Sequence, residues 1–324
     1  MHRGGLLPCW SMRGGKKVAL TLLRWLGPVA VLWAPVTFAP TSASSAALIT
    51  VPTDAPTLQA AVDVARPGDT ILVEPGTYQP VIITGDKAGV TIEAAEVDDP
   101  PIIQGVRNFD GDGVRVDQQD GITLRNLIIQ GAYDGVRLNY ATNALLVGLH
   151  LENNALDIRV NHGQDNSVIG CTILGMRGDR GVEQGLLVDS SPGAVVSGNR
   201  IDGTAREGIR VDGSPCVSLD HNDVSNNRGS DGIAVYSSPG ASIQACTSSG
   251  SYRNGILALN SAPLLLADNA CTDNRNTGFF IAQCPPFVVA ADVFASNNTA
   301  SGNASDVLVL PGGAPPGPAT CPGP

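Results

Sequence analysis

The chain has 324 residues, a net charge of −10 and only 15% charged side chains. All thirty acidic residues follow residue 50, where fifteen basic ones remain, so that part of the chain stands near −15. A surface of that sign repels nucleic acid and anionic lipid at long range, which excludes both as partners.

Residues 1–47 read as a cleavable export signal. Arg3, Arg13, Lys16, Lys17 and Arg24 form a basic stretch, an apolar run follows from Trp25 to Ala39, and TSASSAA supplies small residues for cleavage. Met12 is an alternative start. Pro28 and Pro35 interrupt the apolar run and argue against a membrane anchor. No later segment is apolar and long enough to cross a bilayer, so no membrane partner is expected after cleavage. The expected location is secreted, periplasmic or cell-surface.

Residues 48–112 read as an N-terminal cap helix and the first, irregular rungs of a solenoid. Asp54 is placed to cap a helix starting at Pro56, and Leu58, Ala61, Val62 and Ala65 form one apolar stripe along it. Arg66-Pro-Gly-Asp69 stops that helix, and strands are predicted at 70–74, 81–83, 90–92 and 102–103.

Residues 113–310 carry the dominant pattern. A phrase reading GVRVD at Gly113 recurs as GVRLN at Gly135, DIRVN at Asp157, GLLVD at Gly185, GIRVD at Gly208 and GIAVY at Gly232. Weaker copies begin at Gly255, Gly278 and Asp306, and the starts lie 22 to 28 residues apart. One glycine and two alternating apolar residues per copy, at that period, predict coils stacked on one another. A second motif follows each glycine after about thirteen residues. Its alignment places Asn126, Asn199, Asn222 and Asn269 with Leu149, Cys171 and Cys246 in an internal ladder at a bend. Strands of three to five residues, without helical periodicity between them, predict an all-β, single-stranded parallel β-helix with three short strands per rung. Residues 311–324, rich in Pro and Gly, are expected to be disordered.

The stretch PTLQAAVDVARPGDTILVEPGTY, followed by GIxVxxSPxxxxxxN repeats, resembles the secreted right-handed parallel β-helix proteins of the pectate-lyase-like class, over about residues 51–310. That resemblance implies a right-handed coil and a polysaccharide partner, acidic or neutral. Its members include pectate lyases, polygalacturonases and alginate epimerases and lyases, besides proteins without known chemistry. The chain lacks the Asp-Pro-His triplet of the epimerases, the paired aspartates of the polygalacturonases and the WIDH signature of the pectate lyases.

On each phrase strand the third and fifth residues face solvent. The third positions are Arg115, Arg137, Arg159, Leu187, Arg210, Ala234 and Leu257; the fifth are Asp117, Asn139, Asn161, Asp189, Asp212 and Tyr236. Two outward columns result, and arginines stacked about 4.8 Å apart repel one another unless something neutralises them. Either each arginine pairs with the neighbouring column, or the strip grips carboxylate or sulfate groups of a glycan. Arg115, Arg137, Asp117 and Tyr236 are the candidate substrate-binding residues.

The candidate catalytic cluster is His162, Arg159, Asp189, Arg210 and Asp212. Elimination or C5 epimerisation of a uronate needs a cation, a base and an acid: Arg159 or Arg210, His162 and Tyr236 respectively. Glycoside hydrolysis would use Asp189 and Asp212 as paired carboxylates. An insertion, LGMRGDRGVEQ, could wall this region with Arg177, Asp179, Arg180 and Glu183. No cofactor is expected; Asp110, Asp112, Asp117 and Asp120 would accept Ca²⁺ but suit turns equally. Cys171, Cys216, Cys246, Cys271, Cys284 and Cys321 match no zinc spacing, and their pairing is left open. With one methionine, Met176, beyond the signal, copper handling is not supported. The preferred reading is a monomeric β-helix interacting with polysaccharide, with lyase, epimerase or hydrolase activity as the alternative.

Overall fold

The structure is a computed structural model and describes residues 45–106, 111–175, 184–282 and 293–306. Residues 1–44 of the expected export signal, the wall residues Arg177, Asp179, Arg180 and Glu183, Asp110, Cys284, Cys321 and the segments 307–310 and 311–324 lie outside the described residues.

Each complete rung contributes one strand to each of three parallel sheets, which among the described residues have eleven, nine and ten strands. The first sheet runs from Leu48–Val51 to Val293–Ser296, and the third from Thr77–Tyr78 to Thr299–Ser301. The second holds the recurrent phrase, from Val81–Ile83 to Phe279–Ala282. Its register confirms the expected columns: Arg115 pairs with Arg137, Arg137 with Arg159, Arg159 with Leu187 and Leu187 with Arg210. The alternating apolar residues point inward and fill the coil, from Val114 and Val116 to Phe279 and Ile281.

The phrase opens on glycine because rungs pack closely there. A Cβ on Gly135 would lie 2.6 Å from the Asp157 carbonyl oxygen and 2.9 Å from Leu151 Cδ2.

The bends are held by side chains that bond to the next rung. At the bend between first and third sheets, Asn222 Nδ2 donates to the Val196 carbonyl at 2.8 Å, while its Oδ1 accepts from Asn199 N and Nδ2 at 3.1 and 3.0 Å. Asn269 Oδ1 accepts from Cys246 N at 3.0 Å, and Asn298 continues the series. Leu127, not Asn126, occupies this column in its rung. Asn126 sits one residue earlier, at the left-handed position (φ 53°) shared with Gly148, Gly170, Gly198 and His221. A serine ladder holds the bend between second and first sheets: the N–H groups of Gly163, Ser191, Ser214 and Ser238 donate to the hydroxyls of Ser191, Ser214, Ser238 and Ser261.

The cap differs from the expectation in detail. The helix spans Leu58–Val64 and its N-cap is Thr57, whose hydroxyl accepts from Ala60 N at 3.1 Å. Asp54 instead accepts from Thr50 N at 2.8 Å, because a strand at Leu48–Val51, unforeseen in the sequence, precedes the helix. Leu58, Ala61 and Val62 are buried against the core. Gln59 finishes the open edge of the second sheet: its amide accepts from Ile82 N at 2.9 Å and donates to Ile82 O at 3.1 Å, as a neighbouring strand would.

Removing a ladder amide strands two buried backbone partners on the preceding rung. Asn222→Ala is expected to cost about 3 kcal/mol in urea unfolding, since the Val196 carbonyl and an Asn199 N–H lose their partners. A cost below about 0.5 kcal/mol would show that the bends do not need the ladder.

Candidate functional site

The outward arginines are all engaged with carboxylates, but not by one rule. Arg115 and Arg210 reach the fifth residue of their own strands, Asp117 at 2.8 Å and Asp212 at 2.6 Å. Arg159 instead makes two bonds to Asp134, 2.8 and 3.2 Å, and Arg137 lies 3.9 Å from Asp112 and 4.0 Å from Asp134.

Asp112 and Asp134 belong to a column absent from the sequence reading: the residue just before each phrase. In chain order it holds Asp112, Asp134, Leu156, Gln184, Glu207, Asp231, Asn254 and Thr277. Most of these polar side chains are buried; Asp134 and Asp231 are fully so. The repeat was visible in the alignment, yet a polar residue ahead of glycine reads as a turn.

This column divides into two centres. In the first, burial and the neighbouring Asp134 charge push the Asp112 carboxyl up, while arginines 115, 137 and 159 oppose the shift. In the second, Gln184 Nε2 and Ser230 Oγ each donate to Glu207 at 2.9 Å. Burial raises the Glu207 carboxyl, but these bonds and the Arg210 charge outweigh it and hold it below the ordinary value. Asp231, one rung on, accepts from Asn254 N and Nδ2 through Oδ1 at 2.9 and 2.7 Å. Its Oδ2 has no hydrogen-bond partner, and burial pushes its carboxyl up.

Above Glu207 lies a groove of about 520 Å³ lined by Arg206, Glu207, Arg210, Asp212, Ser230, Tyr236 and Arg253. The Arg210 guanidinium stands 5.0 Å from the centre of the Tyr236 ring. Burial, then Asp231 and Glu207, push the Tyr236 phenol up to about 12. An adjoining space of about 440 Å³ continues over Leu257, Leu259 and Phe280. Three guanidiniums face two carboxylates in the groove lining, a positive surplus on a negative chain. Two other hollows lack such a surplus. One, of about 660 Å³ beside the cap helix, carries Glu74 and no cation; the other, of about 770 Å³, carries Glu152 and Asp202 against Arg228.

The structure therefore brings together Arg210, Asp212 and Tyr236, and leaves the other candidates elsewhere. Arg159 is committed to Asp134. His162 lies past the end of its strand at a left-handed turn position (φ 53°), exposed, with its ring stacked on Tyr140. Asp189 accepts from the Ser190 hydroxyl at 3.0 Å and, though in register with Asp212, faces a residue already bonded to Arg210. Arg137, Arg115 and Asp117 lie in the first centre. Asp112, Asp117 and Asp120 each have separate partners: Arg137, Arg115, and the pair Thr142 and Asn143. Among the described residues no group of three or more His, Cys, Asp or Glu side chains is arranged to hold a metal ion. Cys216 is disulfide-bonded, whereas Cys171, Cys246 and Cys271 are buried free thiols.

A raised carboxyl makes a pH-dependent contribution of known sign. The folded chain holds a proton on Asp231 at pH values where the unfolded chain has released it, so this group subtracts stability as pH rises through the carboxylate range. Asp231→Asn is expected to gain stability relative to the parent between about pH 3 and pH 7. Urea unfolding of both proteins at the two pH values checks this; an unchanged difference means that the Asp231 carboxyl titrates alike in both states.

Comparison with known proteins agrees with this architecture. A comparison with curated protein sequences finds no match. Among solved structures, pectate lyase Pel9A is 15% identical, with 80% of each chain covered and a TM-score of 0.62. A polygalacturonase from Erwinia carotovora ssp. carotovora is 13% identical over 82% of this chain and 86% of that one, at 0.50. A periplasmic alginate epimerase is 12% identical over 82% and 81%, also at 0.50. At these identities the likeness is one of fold. The family profile described as right handed beta helix region matches residues 81–230 and 180–314, more than half of the chain, which therefore belongs to the right-handed β-helix family.

Proposed function

We propose that this protein binds an acidic polysaccharide along the outer face of its second sheet, with Arg210 as the principal anion contact. The observation that carries this reading is the local charge reversal: Arg206, Arg210 and Arg253 against Glu207 and Asp212, in a groove on an otherwise acidic chain. Guanidiniums held by neighbouring carboxylates are oriented before a ligand arrives, so less rotamer entropy is lost on binding a planar anion. The acidic bulk works against steering at long range, and recognition is therefore a short-range matter of fit. Pectate lyase, polygalacturonase and alginate epimerase structures share the fold, which makes a uronate polymer the natural ligand to test first.

The groove gives binding more support than general-base catalysis. A general base works best when its pKa lies near the working pH. Here Glu207 is held low by its hydrogen bonds, Asp212 is occupied by Arg210 and Tyr236 holds its proton up to about 12. The basic, apolar N-terminal segment and the disulfide at Cys216 support an oxidising, extracytoplasmic destination.

Arg210→Ala is expected to weaken oligogalacturonate binding at least tenfold and to flatten its salt dependence, as read by calorimetry. Arg115→Ala, whose partner Asp117 lies outside the groove, is expected to change affinity less than twofold. Equal losses from both substitutions would place the ligand elsewhere. Release of unsaturated uronate, seen in the ultraviolet, would replace the binding reading with a lyase.

A further inference from the structure

The turn that leaves each phrase strand begins with a residue in left-handed backbone geometry. In successive rungs it is Gln118, Tyr140, His162, Ser190, Gly213, Ser237 and Asn260. Most of these are residues that turns favour or tolerate. Tyr140 is the exception, since a bulky side chain is rare at positive φ, whereas histidine tolerates this geometry, as His221 does at φ 52°. Tyr140 and His162 sit on neighbouring rungs, where their rings stack with centroids 5.1 Å apart and planes at 28°. Both are exposed, and Tyr140 keeps 53% of its surface in solvent. Stacking on each other thus leaves much aromatic surface uncovered, and beyond His162 the column continues with Ser190 and Gly213, which carry no ring to extend the stack.

The surroundings of the pair are polar on both sides. Toward the sheet runs an amide row in which Asn139 donates to Asp117 at 3.2 Å and Asn161 donates to Asn139 at 3.4 Å. Toward the first sheet lie Thr142 and Asn143, bonded to Asp120, and Gln164, bonded to Asp165. Aromatic faces within a rim of amides, hydroxyls and carboxylates match a pyranose ring, which has an apolar C–H face and a hydroxylated edge. An apolar protein surface or a lipid would leave that polar rim without partners.

We infer that Tyr140 and His162 form a stacking platform for a pyranose unit. The platform differs from the arginine groove in rung and chemistry: it lies on earlier rungs of the column whose Ser237 and Asn260 border the groove, and it needs no anionic group. The strand before His162 and the strand of Arg210 are two rungs apart, about 10 Å at the parallel-strand spacing. One glycan chain lying along the face can therefore occupy both, and linking the two contacts raises affinity without any new one.

The test is NMR titration of the full exported chain, labelled at histidine and tyrosine ring carbons, with cellohexaose as the neutral probe and hexagalacturonate as the acidic one. The expected result is a shift of the His162 and Tyr140 ring signals with at least one of the two probes. Tyr140→Ala and His162→Ala should weaken that binding about three- to tenfold. His162→Phe, which keeps a ring, should restore most of it. Ring signals that move with hexagalacturonate in Arg210→Ala as in the parent would establish the platform independently of the groove. Ring signals that move with neither probe, while groove binding persists, would overturn the platform and leave the groove reading intact. Restoration by His162→Leu to the same degree as by His162→Phe would also overturn it, since stacking would then not be the interaction.

Discussion

Each rung of this coil depends on the rung beside it. Three short strands and three bends cannot bury their own backbone, so every inward-facing bend needs a partner from the next turn. The chain meets that need in two ways: by parallel strand pairing along the three sheets, and by amide and hydroxyl ladders at the bends. An asparagine can take an N–H with its oxygen and a carbonyl with its nitrogen, which is why Asn199, Asn222, Asn269 and Asn298 recur in a column otherwise filled by Leu127, Leu149, Cys171 and Cys246. The cost falls at the ends, where the requirement has no neighbour to satisfy it. Gln59 answers it for one strand by presenting a side-chain amide where another peptide would lie.

The same stacking rule makes the outer surface. Any residue repeated in the phrase becomes a column with neighbours about 4.8 Å apart, so a repeated arginine becomes a line of like charge. A line of that kind is tolerable only beside a parallel line of carboxylates. The buried column headed by Asp112 and Asp134 supplies it, together with Asp117 and Asp212. Burial of Asp134 is sustained by two bonds from Arg159, and removing Arg159 would leave that buried carboxylate with only the more distant Arg137 to compensate it.

What could be read in the sequence follows from this logic. The coil, the sheet carrying the phrase, its inward residues and both outward columns were legible, because a period sets register and register sets side. Asn126 lies one residue from the ladder, a difference that residue type does not reveal, because asparagine serves both the ladder and the left-handed position beside it. The cap was misread because Asp54 and Thr57 are both good capping residues and the strand at Leu48–Val51 decides between them. The carboxylate column was missed for a different reason: Asp before Gly is a common turn, and only burial distinguishes a turn aspartate from one facing an arginine. His162 looked close to Arg159 in sequence, but its left-handed backbone turns it to the margin, toward Tyr140.

The position of the groove has its own explanation in the columns. Arg115, Arg137 and Arg159 follow one another, Arg115 pairs with Asp117, and Arg137 and Arg159 share Asp134, so that stretch is closed by its own ion pairs. Arg210 alone has Leu187 on one side and Ala234 on the other. Leu187 and Ala234 are both buried and uncharged, so neither brings a second guanidinium to compete with Arg210 for Glu207 and Asp212. The interruption of the arginine repeat, rather than the repeat itself, opens the space in which Arg210, Arg206, Arg253 and Tyr236 meet. A solenoid gains a site where its periodicity lapses, because strict repetition lets each rung satisfy the next and leaves nothing over for a ligand.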